Sequence, residues 1–413
     1  MNSIQAVMCV IAVCAVAACG AIGYEYAVND ADEPEQSNEQ ENNIMASSGT
    51  CGDNLTWTLD DSGNLTISGT GAMTDYTPFS GPWYPERENI LTINIESGVT
   101  SIGNSAFYQC SSVTGTLTIP DSVTSIGSDA FNHCSGLTGP LTIPDSVTSI
   151  GSDAFSSCSG FTSLTIPDSV TSIGDRTFNR CSGFTGPLSI PDSITSIGNL
   201  AFVNCTGFTS LTIPESVTSI GSNAFEGCTG LTGTLNISSV TVVGPQAFED
   251  CTNITSVILS NSIHNIYPGT FLRCTGLISV NIGNSVQTIM TGAFQGCTSL
   301  TSITIPNSVE TIQANAFKDC NNLKTVYNQS DLPLVKGSAD NGYVAAYATT
   351  LVQGSATLTL NRASADPVSG TYETLTVAPG NSVTLPAYSF TTTETGTNKV
   401  TTITHTATGW TEQ

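Results

Sequence analysis

Basic, histidine and tryptophan side chains are scarce in this sequence. Among 413 residues there are 9 Lys and Arg, 3 His and 3 Trp, and the net charge is −24. The few basic residues are scattered, so nucleic acid is excluded as a partner because its phosphates require a clustered basic surface. The chain is rich instead in Thr, Ser and Gly, which favours strands and turns over long helices.

Motifs for catalysis and for cofactor or metal binding are also missing. The sequence holds no G-x-x-x-x-G-K-[ST], H-E-x-x-H or EF-hand loop, and no C-x-x-C pair for zinc. His133 and His264 replace residues of otherwise regular repeats, and His405 lies in the last segment. An active site usually breaks the local pattern of a sequence, and these repeats break theirs rarely. We therefore expect no enzyme, no cofactor and no metal site.

A long apolar run covers Met1–Tyr24, which holds no charged side chain. It suits a cleaved signal peptide or a transmembrane anchor, and the sequence VAACG at 16–20 is similar to a lipoprotein cleavage site at which Cys19 is lipidated. These alternatives stay open, and each places the remainder outside the cytoplasm, either at the cell surface through a membrane anchor or secreted. The stretch 29–43, NDADEPEQSNEQENN, is acidic and lacks aliphatic core-forming side chains, so we expect a disordered linker over residues 25–48.

A repeat dominates the middle of the chain, where cysteines follow one another at steps of 23 or 24 residues. The text of one unit is seen most plainly at 141–162, LTIPDSVTSIGSDAFSSCSGFT. A period of 20–29 residues with this pattern is typical of leucine-rich-repeat solenoids. The cysteines, which we expect in the structural core, are Cys110, Cys134, Cys158, Cys181, Cys205, Cys228, Cys251, Cys274, Cys297 and Cys320.

Alternation within one unit predicts which side chains face the interior. Leu141 and Ile143 flank Thr142, so a short strand turns two aliphatic side chains inward and one hydroxyl outward. Val147 and Ile150 form a second inward pair. One unit buries too little apolar surface to offset its loss of conformational entropy, so each must stack on its neighbours.

The end of the unit predicts one turn of helix. Ser152 is placed to cap it, and Ala154, Phe155 and Cys158 face inward. We expect the cysteines to be reduced and buried, acting as small apolar core residues, and disulfides formed in an oxidising exterior are the alternative.

Two rows of outward side chains follow from stacking the units, and both suit multivalent, individually weak polar contacts. Threonine is also simply a favourable solvent-facing strand residue, so either explanation holds at a single position. Row 1 consists of Asn94, Thr118, Thr142, Thr165, Ser189, Thr212, Asn236, Ile258, Asn281 and Thr304. Row 2 consists of Thr100, Thr124, Thr148, Thr171, Thr195, Thr218, Thr241, His264, Gln287 and Glu310. The candidate binding surface is row 1 without Asn94 and Ile258.

Segments of different character flank the repeats. Residues 49–92 contain two predicted strands, Leu55–Leu59 and Leu65–Ile67, and read as an N-terminal β cap on which Trp83 and Tyr84 pack. The solenoid is predicted over 93–328 and a linker or C-terminal cap over 329–350. Residues 351–413 are rich in Thr and Val and predict a small β domain, with two strands around a turn at 379–381.

With the units laid out, LTIPDSVTSIGSDAFSSCSG resembles the repeat of BspA-like leucine-rich-repeat surface proteins. The resemblance extends from Gly49 to Thr349, through GTCGDNLTWTLDDSGNLTISGTGAM, WYP and SDLPLVKGSADNGYVAAYAT. It implies adhesion or partner binding without catalysis. The last segment, with TLTVAPGNSVTLP and TGW, looks like a Listeria-Bacteroides-type repeat, which implies a small β-grasp-like module.

The expected function is therefore non-catalytic binding at the cell surface. The fold class expected is a mainly β solenoid with short helical turns, and the expected partner is an extracellular protein or a glycan. A self-associating structural protein of the envelope is the alternative.

Overall fold

The computed structural model describes residues 46–353 in full and, beyond them, the backbone of 356–360, 373–377, 389–394, 400–406 and 409–412. The predicted signal peptide or anchor at 1–24, its Cys19, and the predicted acidic linker up to residue 45 lie outside these ranges. Within them, no helix has the length and apolar character needed to span a membrane.

The N-terminal strands form an antiparallel sheet that leads directly into the repeats. Neighbouring strands β1, β2 and β3 pair antiparallel, and β3 pairs in parallel with the first strand of the repeats. A single 3-10 turn, Tyr84–Glu86, follows in this region. The strands are β1 (Ser47–Gly52), β2 (Leu55–Leu59), β3 (Asn64–Gly69) and β4 (Gly71–Ala72).

Each repeat forms one coil, and in every coil but that of Thr118 a first strand carries the outward residue of row 1. These strands pair in parallel with those of neighbouring coils in short sheets, β8-β10, β12-β14, β16-β18-β20 and β22-β24-β25. The first strands are β5 (Thr92–Ile95), β8 (Gly139–Thr142), β10 (Phe161–Thr165), β12 (Gly186–Ser189), β14 (Phe208–Thr212), β16 (Gly233–Ile237), β18 (Ile254–Leu259), β20 (Ser279–Asn281), β22 (Ser302–Ile305), β24 (Thr325–Asn328) and β25 (Thr350–Gln353).

The second strand of each coil is shorter and also pairs in parallel with its neighbours. Three sheets result, β4-β6-β7-β9, β11-β13-β15-β17 and β19-β21-β23. The second strands are β6 (Val99–Ile102), β7 (Ser125–Ile126), β9 (Ser149–Ile150), β11 (Ser172–Ile173), β13 (Ser196–Ile197), β15 (Ser219–Ile220), β17 (Val242–Val243), β19 (Asn265–Ile266), β21 (Thr288–Ile289) and β23 (Thr311–Ile312). These two sets of parallel strands confirm the predicted solenoid.

The remainder of each coil is a series of turns and not the predicted turn of helix. Asp153 and Ser157 have φ of 57° and 61°, which a right-handed helix cannot contain. The N–H groups of Asp153, Phe155 and Ser157 donate to carbonyls of the following coil at 2.7–3.0 Å. We call this set of hydrogen bonds between coils the turn ladder. The position of Ser157 is left-handed in every coil: Gln109, His133, Ser157, Arg180, Asn204, Gly227, Asp250, Arg273, Gly296 and Asp319.

A column of stacked aromatic rings fills the interior beneath the turn ladder. Ring centroids of successive phenylalanines lie 5.1–5.8 Å apart, slightly more than the distance of about 4.8 Å between paired strands. Trp83 extends the column, stacked on the first ring at 5.5 Å with its indole N–H donating to the Ala106 carbonyl at 2.8 Å. The packing predicted for Trp83 is thereby confirmed. The phenylalanines are Phe107, Phe131, Phe155, Phe178, Phe202, Phe225, Phe248, Phe271, Phe294 and Phe317.

Parallel pairing between coils extends past both predicted ends of the solenoid. At the N-terminus β3 and β4, inside the predicted cap, already pair in parallel with β5 and β6, and β1 begins within the predicted linker at Ser47. At the C-terminus β24 pairs in parallel with β25, so the predicted linker at 329–350 completes another coil. Its buried Leu334 and Val344 cover the end of the apolar interior.

Beyond the solenoid, five described strands form one antiparallel sheet in the order β27-β26-β28-β29-β30. The predicted turn at 379–381 lies outside the described residues, and the β-grasp-like identity of this segment stays a prediction. The strands are β26 (Ala356–Leu360), β27 (Glu373–Val377), β28 (Ser389–Glu394), β29 (Val400–Thr406) and β30 (Gly409–Glu412).

Candidate binding surface

Row 1 lies on the solvent side of the first strands, as the alternation of the sequence predicts. Most of its members are exposed, whereas Ile258 and Thr304 are half-buried. The exposed members are Asn94, Thr118, Thr142, Thr165, Ser189, Thr212, Asn236 and Asn281. Apart from Ile258, the row presents only hydroxyl and amide side chains.

Row 1 falls into short in-register groups because the first strands belong to several separate sheets. Thr142 pairs with Thr165, and Ser189 pairs with Thr212, but the register shifts at the start of both pairs of strands. Gly139 and Gly186, at these shifts, have φ of 77°, and each is the additional residue of a 24-residue step. Left-handed glycine at an extra position is the usual cause of a β-bulge. The surface therefore presents pairs of hydroxyls at the distance between strands, about 4.8 Å.

Row 2 differs from row 1 because its hydroxyls already hydrogen-bond within the solenoid. All of row 2 is exposed, yet the hydroxyls of Thr124, Thr148, Thr195, Thr218 and Thr241 donate to carbonyls of the preceding coil at 2.9–3.3 Å. These threonines thus stabilise the stacking of coils.

The hydroxyls of row 1 make no such contacts. Over the described part of the chain, no hydrogen bond engages the side chain of Thr142, Thr165, Ser189 or Thr212. The two rows look equivalent in sequence, and only their hydrogen bonds separate them. Row 1 is the row whose donors and acceptors are available to a partner.

The ten repeat cysteines are all buried, as free thiols. From Cys134 onward, each thiol donates to the phenylalanine carbonyl of the preceding coil at 3.0–3.2 Å. Burial raises the pKa of Cys110, Cys181 and Cys228 to about 12. Cysteine therefore combines a small apolar volume with a weak donor that bonds a carbonyl between coils.

In the described part of the chain, side chains that could hold a metal ion are not brought together. Among the residues placed with side chains, no three His, Cys, Asp or Glu are positioned to share a metal ion. His133 is exposed in the left-handed position of the turn ladder. His264 is exposed, with Nδ1 3.0 Å from the Ser262 carbonyl oxygen, and the side chain of His405 lies outside the described residues.

An exposed aromatic cluster near the N-terminal end was not predicted. Phe79 is 59% exposed with φ of 73°, and its ring lies 5.5 Å from that of Tyr84 and 5.1 Å from that of Tyr108. The Arg87 guanidinium lies 4.4 Å from the centre of the Tyr84 ring. Phe79 occupies an irregular loop, where periodicity gives no signal for burial or exposure.

Comparison with known proteins matches this regular architecture to one family. Six copies of a family model described as the BspA type leucine rich repeat region match the chain, over residues 84–208, 137–255 and 195–324. These overlapping ranges together cover more than half of the 413 residues. A search of curated proteins finds no significant match.

Several solved structures of bacterial proteins are also similar to the chain. A leucine rich cell surface protein from Faecalibacterium prausnitzii is 26% identical, with 75% of this chain and 94% of that chain covered and a TM-score of 0.45. A leucine-rich repeat protein from Bacteroides ovatus is 24% identical, with 73% and 89% covered and a TM-score of 0.46. One from Eubacterium ventriosum is 22% identical, with 72% and 99% covered and a TM-score of 0.38.

The coils of 23 or 24 residues, the cysteine and phenylalanine columns and the extent of the family match lead to one assignment. The chain belongs to the BspA-type leucine-rich repeat family.

Proposed function

We propose that this protein is a non-catalytic binding or adhesion protein of the cell surface that presents row 1 to an extracellular protein or glycan. The observation that carries the proposal is the difference between the rows. Row 1 hydroxyls, all exposed except the half-buried Thr304, make no side-chain hydrogen bonds within the described solenoid, whereas most row 2 hydroxyls donate to a carbonyl of the preceding coil. Unengaged polar groups in register suit a partner that also repeats.

The charge distribution narrows the kind of contact that row 1 makes. None of its members is charged, although the chain carries a net charge of −24. Recognition at row 1 would therefore rest on hydrogen bonds repeated along the solenoid and not on ion pairs. Individually weak contacts of this kind gain affinity when several engage the same extended partner. We expect this binding to depend little on salt.

The proposal is tested by immobilising the protein and measuring binding of extracellular matrix proteins and surface glycans. Thr142→Lys combined with Thr165→Lys places two long cations on paired strands of row 1 and is expected to weaken saturable binding by at least about tenfold, or 1.4 kcal/mol. Thr148→Lys combined with Thr171→Lys adds the same charges to row 2 and serves as the matched control. Binding absent in the wild type, or lowered equally by both pairs, would show the proposal to be wrong.

Cell-surface localisation is also part of the proposal and rests on the apolar run Met1–Tyr24. Each of its three interpretations, signal peptide, anchor or lipidation at Cys19, exports the remainder of the chain. A mass spectrum of the mature protein distinguishes an intact N-terminus, a cleaved one and a lipidated cysteine. Cytoplasmic protein with an intact, unmodified N-terminus contradicts this part of the proposal.

A further inference from the structure

A groove of about 430 Å³ lies beside the second strands in the C-terminal half of the solenoid. Its size falls within the range of about 300–1,000 Å³ typical of small-ligand sites. Residues of four consecutive coils line it, and none of them belongs to row 1. The groove is therefore separate from the surface of the proposed function.

Three glycines line the groove. Gly198, Gly221 and Gly244 directly follow the second strands β13, β15 and β17 of three successive coils. A Cβ added to each would lie 2.5–2.6 Å from backbone atoms of the preceding coil, so no side chain is tolerated there. These glycines therefore allow successive coils to approach closely along the lining of the groove.

Tyr267 lies at one end of the groove. It follows β19 at the position that glycine occupies in the three preceding coils, and it lines the groove. Strand pairing is interrupted at the same place, between β17 and β19.

The lining combines polar groups with apolar surface and carries no charge. Ser196 and Ser219 are half-buried, and no hydrogen bond between described residues engages their hydroxyls. Val242, which takes the place of serine in its coil, is 48% exposed, and the Tyr267 ring adds an aromatic wall. Anions would find no basic side chain here, and cations would find no carboxylate.

We propose that this groove binds a neutral sugar unit of an oligosaccharide. A pyranose has hydroxyls around its edge and apolar C–H groups on its faces, which match the hydroxyls of Ser196 and Ser219 and the apolar surface that Val242, next in the same row, and Tyr267 add to the groove. An uncharged lining in a chain of net charge −24 favours a neutral sugar over an acidic one.

The test measures binding of maltotriose, cellotriose and lactose to the full chain by calorimetry and by saturation-transfer NMR, with trigalacturonic acid as the acidic comparison. At least one neutral sugar is expected to bind, and trigalacturonic acid is not. No binding of the neutral probes at about 10 mM, tenfold above a Kd of about 1 mM, overturns the proposal. Equal binding of the acidic sugar overturns it as well.

The residues that line the groove are tested with substitutions that copy the residue found at the same position of a neighbouring coil. Tyr267→Gly installs the residue of the preceding coils and is expected to weaken binding about tenfold, whereas Tyr267→Phe keeps the ring and most of the affinity. Ser219→Val copies Val242 and is expected to weaken binding severalfold. Met290→Gly, at the same position one coil further and outside the groove, is the matched control. Unchanged affinity in both Tyr267→Gly and Ser219→Val refutes the assignment.

The groove and row 1 are distinguished by testing the variants of each site in the binding assay of the other. The Thr142→Lys and Thr165→Lys double variant is expected to keep sugar binding, and Tyr267→Gly is expected to keep the binding assigned to row 1. Sugar binding that disappears in the row 1 double variant places the sugar on row 1 and overturns the groove. Loss of row 1 binding alone leaves the groove proposal standing.

Discussion

One position of the turn ladder has left-handed backbone conformation in each coil. We predict that the same substitution has opposite effects on stability at this position and two residues further along the chain. Ser157 has φ of 61°, and Gly227 and Gly296 occupy the same position in other coils. Ser159 has no positive φ and is exposed. We expect Ser157→Gly to stabilise the solenoid and Ser159→Gly to destabilise it.

The magnitude follows from two opposing costs. A left-handed conformation costs a residue with a Cβ about 1–2 kcal/mol, and Ser157→Gly removes that cost. Glycine also increases the entropy of the unfolded chain, which costs about 0.4–1 kcal/mol at either site. The net expectation is a stabilisation of about 0.5–1 kcal/mol at Ser157 and a destabilisation of about 0.4–1 kcal/mol at Ser159.

Urea unfolding followed by circular dichroism gives the sign of each change. Repeat proteins can unfold in parts, so hydrogen exchange at the Ser157 amide, which donates to the Asn179 carbonyl at 2.7 Å, provides a local second measurement. Ser157→Ala keeps the Cβ and is expected to change stability by less than about 0.5 kcal/mol. Equal destabilisation by Ser157→Gly and Ser159→Gly would refute this reasoning.

Three further predictions concern the interior and its titratable groups. The ring of Phe202 lies in the column of stacked phenylalanines, with its centroid 5.4 and 5.3 Å from those of its two neighbours. Phe202→Ala is therefore expected to lower the free energy of unfolding, measured in urea, by about 3–5 kcal/mol. A loss below about 1 kcal/mol would contradict the stacked column. Burial raises the pKa of Asp153 above its ordinary 3.8, so the folded protein holds a proton on this carboxyl more readily than the unfolded chain does. The free energy of unfolding is therefore expected to decline as pH rises from about 3.8 through the folded-state pKa. Asp153→Asn should flatten this dependence of stability on pH, and an unchanged dependence would argue against the raised pKa. Burial raises the pKa of Cys181 to about 12, so iodoacetamide at pH 8 should label it only after denaturation, and rapid labelling of native protein would place the thiol outside the interior.

The interior of each coil could be predicted from the sequence because it depends on local alternation. Leu141 and Ile143 are buried and Thr142 between them is exposed, as expected from a strand with one face in the core. The predicted turn of helix was wrong because apolar spacing over a few residues does not determine φ. Arg180 and Ser157 are left-handed without the Gly or Asn that usually indicates this conformation.

The candidate surface was only partly predictable for a similar reason. Outward threonines follow from the period, but whether a hydroxyl is free depends on the carbonyl that the neighbouring coil brings to it. Thr148 donates to such a carbonyl, and Thr142 has none within the described hydrogen bonds. The groove was missed because the sequence shows that Tyr267 replaces a glycine of earlier coils but does not show which surface that position lines.

The sequence alone determined the 23-residue period, the identity of the buried aliphatic, phenylalanine and cysteine side chains, and the membership of a leucine-rich-repeat class. Those features follow from the requirement that each unit bury the same residues against its neighbours. Only the tertiary structure decided the turn ladder, the hydrogen bonds that separate row 1 from row 2, the additional coils at both ends and the groove lined by Tyr267. Each of these depends on which backbone atoms of adjacent coils meet, a relation between residues some 23 positions apart that local patterns do not encode.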